Sequence, residues 1–478
     1  MHLNAVRRLL LAVCSLCGLW TLVITLSGGG ELVFGSLRIS SSSPRNPLLI
    51  ALITGLLAWF LALTGRHGDH RPHRGTAFVT MLTAFVLGVN VLIQATPAPP
   101  PGVFTCYHDQ PLRGAFRYQL NCDAVEFMTL AHEPARVFTQ PIRQGRPLSF
   151  VIPFVVALLL HGLPDFDAIP IRPPLQKEFL AFVVVNVVTL VCALLCFTWA
   201  YERGTGWRGG PEWLFVIVVL AANEISKMFI WNAHVQILNL LTPCLTIYLS
   251  LRLLERRTPL SWTQALLAGL AMGVGLLTYG SFVIPLLCII VIHWLVYRRL
   301  WHGLLVGATA SLVYLAWVAF VRQKTGTFYN HEVEQYRQFV WIADCIRAHT
   351  CRDAISRNYV GFFNATAPIM LVPALMAAGC RVARALWIKD GDRVPMPRTL
   401  LQASVLTWIV TFVFLAPAGF YSPRLSWLLV PPVLMLVAIE GRALWEAMPR
   451  RPWAISIALT TICMSYVLLL AARQGPYW

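Results

Sequence analysis

Between two apolar parts of the chain lies a polar stretch whose residues suit acid–base and phosphate chemistry. Asn121-Cys122-Asp123-Ala124-Val125-Glu126-Phe127 continues through Leu130, Ala131 and Pro134 to Arg143-Gln144-Gly145-Arg146-Pro147-Leu148. Asp123 and Glu126 stand three residues apart, a spacing that on a short helix puts both carboxylates on one face. Arg143 and Arg146 repeat that spacing, and their forked guanidinium groups match phosphate or pyrophosphate oxygens. Further candidates are Asn223, Glu224, Lys227, Asn232 and His234 in one cluster, His331, Glu332, Glu334, Tyr336 and Arg337 in a second, and Tyr421 with Arg424 near the end. Such groups at a membrane surface also pair with one another or with headgroups. His67, His70 and His73 look like a metal cluster, but they sit among Arg66, Arg71 and Arg74 and are read as a cationic, solvated loop. No Walker lysine motif, Gly-x-Ser-x-Gly or His-Glu-x-x-His occurs.

The elements that must position these groups are helices in a bilayer. Of the 478 residues 57% are hydrophobic and only 12% charged, about half the charge of an ordinary soluble domain. Apolar runs reach the ~20 residues that a helix needs to cross a ~30 Å hydrocarbon core. They lack the ten-residue alternation of an outer-membrane barrel. The expected fold is all-α, a polytopic transmembrane helix bundle. The formal charge of +17 is read as a topology signal rather than a nucleic-acid footprint, because bases collect in short segments between spans. Residues 66–75 and 202–211, Arg256-Arg257 and Arg298-Arg299 then fall on the cytoplasmic side.

Arg7 and Arg8 precede the run 9–26, which no small-residue cleavage site ends, so it is taken as the first span. Spans at 48–64 and 76–95 follow, and Pro97 to Pro101 stops the third. The run 148–163 is apolar but only ~24 Å long as a helix, and it contains Pro153. Counting it as a crossing would invert the charge asymmetry, so it is read as a juxtamembrane or re-entrant segment. Spans near 179–201, 213–225, 235–254, 264–279, 282–297, 303–321, 367–387, 399–419, 425–444 and 455–472 bring the total to about 13 crossings, with the C-terminus outside. The resulting divisions are the first three spans (1–95), a first outer loop with juxtamembrane helices (96–178), central spans (179–321), a second outer loop (322–366) and C-terminal spans (367–478).

Cys14, Cys17, Cys192, Cys196, Cys244, Cys288, Cys380 and Cys463 fall inside apolar runs, where a thiol behaves as a small hydrophobe. The other four lie two per outer loop. Cys106 with Cys122 and Cys345 with Cys351 are expected to form disulfides in an oxidising space such as a periplasm.

Asp123-x-x-x-Phe127-x-x-Leu130-Ala131, followed by Arg146-Pro147-Leu148, resembles the polytopic glycosyltransferases of the GT-C type. The likeness is to bacterial members with a catalytic aspartate in the first large outer loop and a juxtamembrane segment opening with Arg-Pro-Leu. Asn186, Gly269-x-x-x-Gly273-x-Gly275-Leu276-Leu277, and Arg424 with Pro431-Pro432 are weaker echoes. Two departures stand out: two extra spans precede the loop, and Asp123-Ala124-Val125-Glu126 replaces the Asp-x-Asp or Asp-Glu of some relatives.

What the resemblance implies is inverting transfer of a sugar from a polyprenyl-phosphate donor to a lipid, glycan or protein acceptor. The site would face the periplasm from a multi-pass protein of the bacterial inner (plasma) membrane, as part of cell-envelope chemistry. Asp123 would be the general base, with Glu126 beside it. Arg143, Arg146, Lys227 and Arg424 would hold the donor phosphate, and Glu224, His234, Glu332 and Glu334 would serve the acceptor or support the site. Membrane lipids are the other expected partners, and nucleic acid is not one. No cofactor is demanded, and a divalent cation is left open. The competing class is a transporter or flippase for an anionic lipid-linked solute, although carriers usually keep their ionisable residues near the bilayer midplane. A membrane scaffold without chemistry is a third reading.

Overall fold

The computed structural model describes residues 2–27, 30–34, 37–41, 43–64, 83, 86, 88, 108–111, 117–120, 123–140, 143–163, 165, 171, 174–207, 211–328, 338–387, 396–447 and 452–473. These are helical apart from connections and two short antiparallel hairpins, β1 (Gly30–Phe34) with β2 (Leu37–Ser41) and β3 (His108–Pro111) with β4 (Arg117–Leu120). Helices α1 (His2–Ser27) and α2 (Arg45–Thr64) pack as a pair. The polar stretch becomes α3 (Ala124–His132), a 3-10 turn (Pro134–Phe138) and α4 (Leu148–Leu160). The middle of the chain forms α5 (Gln176–Thr205), α6 (Pro211–Ala221), α7 (Glu224–Phe229), α8 (Leu238–Leu254), α9 (Trp262–Thr278), α10 (Val283–Leu295) and α11 (Leu300–Thr325). Then come α12 (Val340–Ala348), α13 (Cys351–Trp387), α14 (Arg398–Leu415), α15 (Pro423–Ser426), α16 (Val430–Ala447) and α17 (Pro452–Ala472).

Among the described residues six stretches are long and apolar enough to cross a membrane: Ala5–Ile24, Gln176–Thr205, Leu300–Thr325, Cys351–Leu386, Arg398–Leu415 and Pro423–Trp445. They mark the chain as a membrane protein. About 13 crossings were expected; the described apolar helices α4, α8, α9 and α10 have 10–17 residues. The expected third span at 76–95 lies outside the described residues except at Thr83, Val86 and Gly88, and His67, His70 and His73 also fall outside. The expected span at 213–225 ends early for a local reason. Asn223 is extended (φ −146°, ψ 177°), and its side chain accepts from the Ser226 amide, starting α7 as a separate helix. Helix α13 begins at Cys351, well inside the expected second outer loop.

Helix α8 packs on α5, α10, α14 and α16, so its residues are buried nearly all round, including Asn239, Thr242, Thr246 and Ser250. On a helix without water around it, serine and threonine hydroxyls turn back to the chain: Thr242 donates to Leu238 O and Thr246 to Thr242 O. The outer helices instead leave apolar side chains uncovered, as at Leu312 and Leu315 on α11 and Leu371, Val372 and Leu375 on α13, the surface that a lipid-facing helix needs.

Contacts between connections define two ends of the bundle. At one end, Arg203 at the end of α5 pairs with Glu255 after α8, Arg442 of α16 donates to Thr205 O, and Tyr297 after α10 donates to Leu253 O. The turns Arg256-Arg257 and Arg298-Arg299 therefore share an arginine-rich end. The connections preceding α8 and α16 and following α9 meet at the opposite end, together with α3. Near that end, Cys345 and Cys351 form a disulfide that joins α12 to α13, with Cα atoms 4.6 Å apart. The second expected pair, Cys106 with Cys122, lies outside the described residues.

The glycine run of α9 has a packing role. A Cβ at Gly269 would lie 2.6 Å from Thr309 Cβ and 2.8 Å from Val306 O, and one at Gly273 would lie 2.6 Å from Val313 Cβ. Only glycine lets α9 and α11 approach this closely, the small-residue packing that lipid-embedded helices rely on. Gly269→Ala is expected to destabilise the protein by about 1–3 kcal/mol, the usual range for overpacking. The measurement is thermal unfolding in detergent, and an unchanged midpoint would mean that the α9–α11 contact is looser than described.

Candidate functional site

Asp123 stands at the N-cap of α3 but does not cap it: its carboxylate makes no hydrogen bond to the helix's own amides. An aspartate in this position ordinarily turns inward to an N2 or N3 amide. Here Oδ2 receives Arg143 Nη2 at 2.6 Å and lies 3.4 Å from His234 Nε2. The carboxylate thus stays beside the helix N-terminus, whose dipole favours its charge, while facing outward to its partners. Glu126, one turn on, brings Oε2 to 3.9 Å from the same Arg143 nitrogen. The expectation that both carboxylates share one face holds, and what they face is a single guanidinium.

Arg143 is held by the backbone as well as by charge. It sits at φ +68°, left-handed backbone that is costly for a residue with a Cβ. The next residue anchors the turn: Gln144 Nε2 donates to Val137 O at 2.7 Å, and Trp317 Nε1 of α11 donates to Gln144 O at 2.6 Å. The Arg143 guanidinium lies over the Phe127 ring, 4.7 Å from its centroid. Phe127 in turn packs on His234, at 4.8 Å between ring centroids.

His234 belongs to the connection between α7 and α8. Asn186 of α5 holds that connection by donating to both Phe229 O and Asn232 O at 2.8 Å, which gives this echo of the family pattern a structural role. Arg146 lies over Tyr279, 5.4 Å from the ring centroid. Tyr279 donates to Gln236 Oε1 at 2.7 Å, Asn239 Nδ2 donates to the same oxygen at 2.6 Å, and Asn239 Nδ2 also donates to Arg424 O at 3.0 Å. One polar chain therefore links Arg146, the end of α9, the start of α8 and Arg424.

The charges act on one another. Burial alone would raise the Asp123 carboxyl, but the His234 contact and the positive charges of Arg143 and Arg424 outweigh it and hold the group well below the usual carboxylate range. Asp123 is ionised at neutral pH. Burial pushes His234 down to about 4, against the opposing pull of Asp123 and with help from the charges of Arg424 and Arg143, so its imidazole is neutral. Exposure is graded across the site: the Asp123 side chain is 33% exposed, that of Arg143 14% and that of His234 3%.

The structure brings together Asp123, Glu126, Arg143, Arg146, His234 and Arg424, but it takes Lys227 and Glu224 elsewhere. Lys227 donates to the carbonyls of Leu470 and Arg473 at the end of α17, and Glu224 pairs with Arg473 at 2.7 Å. Burial and the charge of Arg473 bring Lys227 down to about 8. These two residues fasten the last helix, which corrects their expected roles at the donor phosphate and the acceptor. Glu332 and Glu334 lie outside the described residues, as do His331, Tyr336 and Arg337. A divalent cation does not fit between the paired acids, because the Arg143 guanidinium fills that place, and no cluster of three metal-ligating side chains occurs among the described residues. Tyr279, Gln236 and Asn239 were not singled out in the sequence. The available signal was two amides three residues apart at the start of an apolar run.

Comparison of the chain with protein-family models, with curated proteins and with solved structures finds no match in any of the three.

A histidine kept neutral by the fold contributes its stability in full above its unfolded value near 6.5. That contribution is lost as pH falls toward about 4, because the unfolded chain takes up the proton first. Asp123, held low, loses its contribution only at still lower pH. Between pH 7 and 4.5 the melting temperature of the wild type is therefore expected to fall further than that of His234→Gln. Parallel curves for the two proteins would show that His234 is not held neutral.

Proposed function

We propose that the protein is an inverting membrane glycosyltransferase that moves a sugar from a polyprenyl-phosphate donor to an acceptor hydroxyl, with Asp123 as general base. The observation that carries this reading is an ionised, partly exposed carboxylate that shares an arginine with a second acid at one mouth of a membrane-helix bundle. Acids left ionised in such a place are functional by default, because burying their charge is costly.

The step balances with these groups. Asp123 takes the proton of the acceptor hydroxyl, and the acceptor oxygen forms a bond to the anomeric carbon. The bond from that carbon to the phosphate oxygen breaks on the opposite side, and its electron pair leaves with the lipid phosphate. As Asp123 loses its negative charge, the leaving phosphate gains one. Arg143, already between Asp123 and Glu126, and the neighbouring Arg146 and Arg424 are the cations that can follow that shift of charge. The exposed Ile152, Val155, Leu158 and Leu159 of α4 offer an apolar surface next to the site for the prenyl chain.

Orientation is part of the proposal. The arginine-rich end opposite Asp123 is the one expected to remain in the cytoplasm, so the site would face the periplasm of a bacterial inner membrane. The transferase reading is preferred to a carrier because Asp123 and Glu126 lie together around one arginine at one end of the bundle, in place of a paired arrangement at the midplane.

Asp123→Asn keeps an oxygen for Arg143 and is expected to leave the protein folded and inserted while reducing transfer by at least about 100-fold, the scale of a lost general base. The assay is movement of radiolabel from a panel of polyprenyl-phosphate sugars by purified protein. Wild-type transfer by the variant would remove Asp123 from the mechanism. Labelled lipid crossing a proteoliposome bilayer equally well with both proteins, with no transfer, would favour the carrier.

A further inference from the structure

His234 is a buried polar side chain with no evident structural employment. Its side chain is 3% exposed, and neither Nδ1 nor Nε2 has a properly aligned hydrogen-bond partner among the described residues. Leaving such a group unsatisfied costs about 1–3 kcal/mol. Packing alone does not call for it, because the ring fits between Phe127 and Phe229, at 4.8 and 5.1 Å between centroids, a place that another phenylalanine would fill. What distinguishes the imidazole is the direction of Nε2, which lies 3.4 Å from Asp123 Oδ2.

We propose, building on the transferase reading, that His234 is the positioning residue of the base: its Nε2–H fixes the Asp123 carboxylate and tightens onto Oδ2 when substrate closes the site. Asp123 is ionised and can only accept, so the proton on the imidazole sits on Nε2. Hydrogen bonds of catalytic groups are often long and poorly aligned before substrate arrives, which is the state of this one. A neutral donor suits the task better than a further cation. Arg143 already depresses the basicity of Asp123, and a charged residue behind it would depress it further. Burial removes the charge from the histidine and leaves the N–H. The short backbone bond from His234 N to Asn232 O at 2.8 Å and the two Asn186 bonds fix the connection that aims it.

The test compares two substitutions of equal polarity. The amide nitrogen of His234→Gln reaches the place of Nε2, whereas that of His234→Asn reaches only the place of Nδ1. With labelled polyprenyl-phosphate sugar as donor, His234→Gln is expected to keep kcat within several-fold. His234→Asn and His234→Phe are expected to lose about 100-fold in kcat with donor KM little changed, the scale of a misplaced catalytic group. Equal kcat for the Gln and Asn variants, or wild-type kcat in a folded Phe variant, overturns the positioning role while the transferase reading stands. If the Phe variant does not fold, the Gln and Asn pair decides. Full activity of Asp123→Asn in the same assay, or no transfer by the wild type from any donor, overturns the transferase reading and this inference with it.

Discussion

The ion pair between Arg143 and Asp123 is the constraint on which the rest of the site depends. An aspartate at a helix N-cap has an easy partner in its own helix, and an arginine in a turn has an easy partner in water. Both give these up. Asp123 leaves its α3 amides uncapped, and Arg143 accepts left-handed backbone. Such local departures are sustained only where the surrounding structure holds them in place. Gln144, Trp317 and Phe127 do so here, so the pair couples α3 to the turn before α4 and, through Trp317, to α11.

The second layer of the site follows from burial. His234 lies behind Asp123, and its position is set by Asn186 on α5 and by the connection that starts α8. Arg146 and Arg424 are tied to the same region by Tyr279, Gln236 and Asn239. The groups that face one another thus come from six separate parts of the chain, each at the same end of a helix bundle. The opposite end carries the turns Arg256-Arg257 and Arg298-Arg299, and this asymmetry gives the bundle a chemical direction.

Much of this was legible in the sequence. Asp123, Glu126, Arg143 and Arg146 stood out because a polar run bounded by apolar ones has few structural uses in a membrane protein, and their three-residue spacing translated directly into shared faces. Lys227 and Glu224 were misplaced because they lie close to His234 in the sequence. Their partners on α17 are more than 240 residues away, and nothing in the local pattern announces them. Gln236, Asn239 and Tyr279 went unnoticed because each is a single polar group at the edge of a run that reads as apolar. The spans expected at 179–201 and 303–321 stop short of their helices, which run on to the left-handed glycines Gly206 and Gly326. A helix end was not legible where Asn223 restarts the helix within an apolar stretch.

In the proposed reaction a hydroxyl that Asp123 deprotonates displaces the lipid phosphate at an anomeric carbon. The most direct measurement is the anomeric configuration of the product, determined by NMR after incubation of purified protein with a polyprenyl-phosphate sugar of known configuration and an acceptor. The expected product carries a new glycosidic bond of inverted configuration, formed in step with release of the lipid phosphate. Retention of configuration would require a covalent glycosyl-enzyme intermediate and would contradict direct displacement by the acceptor.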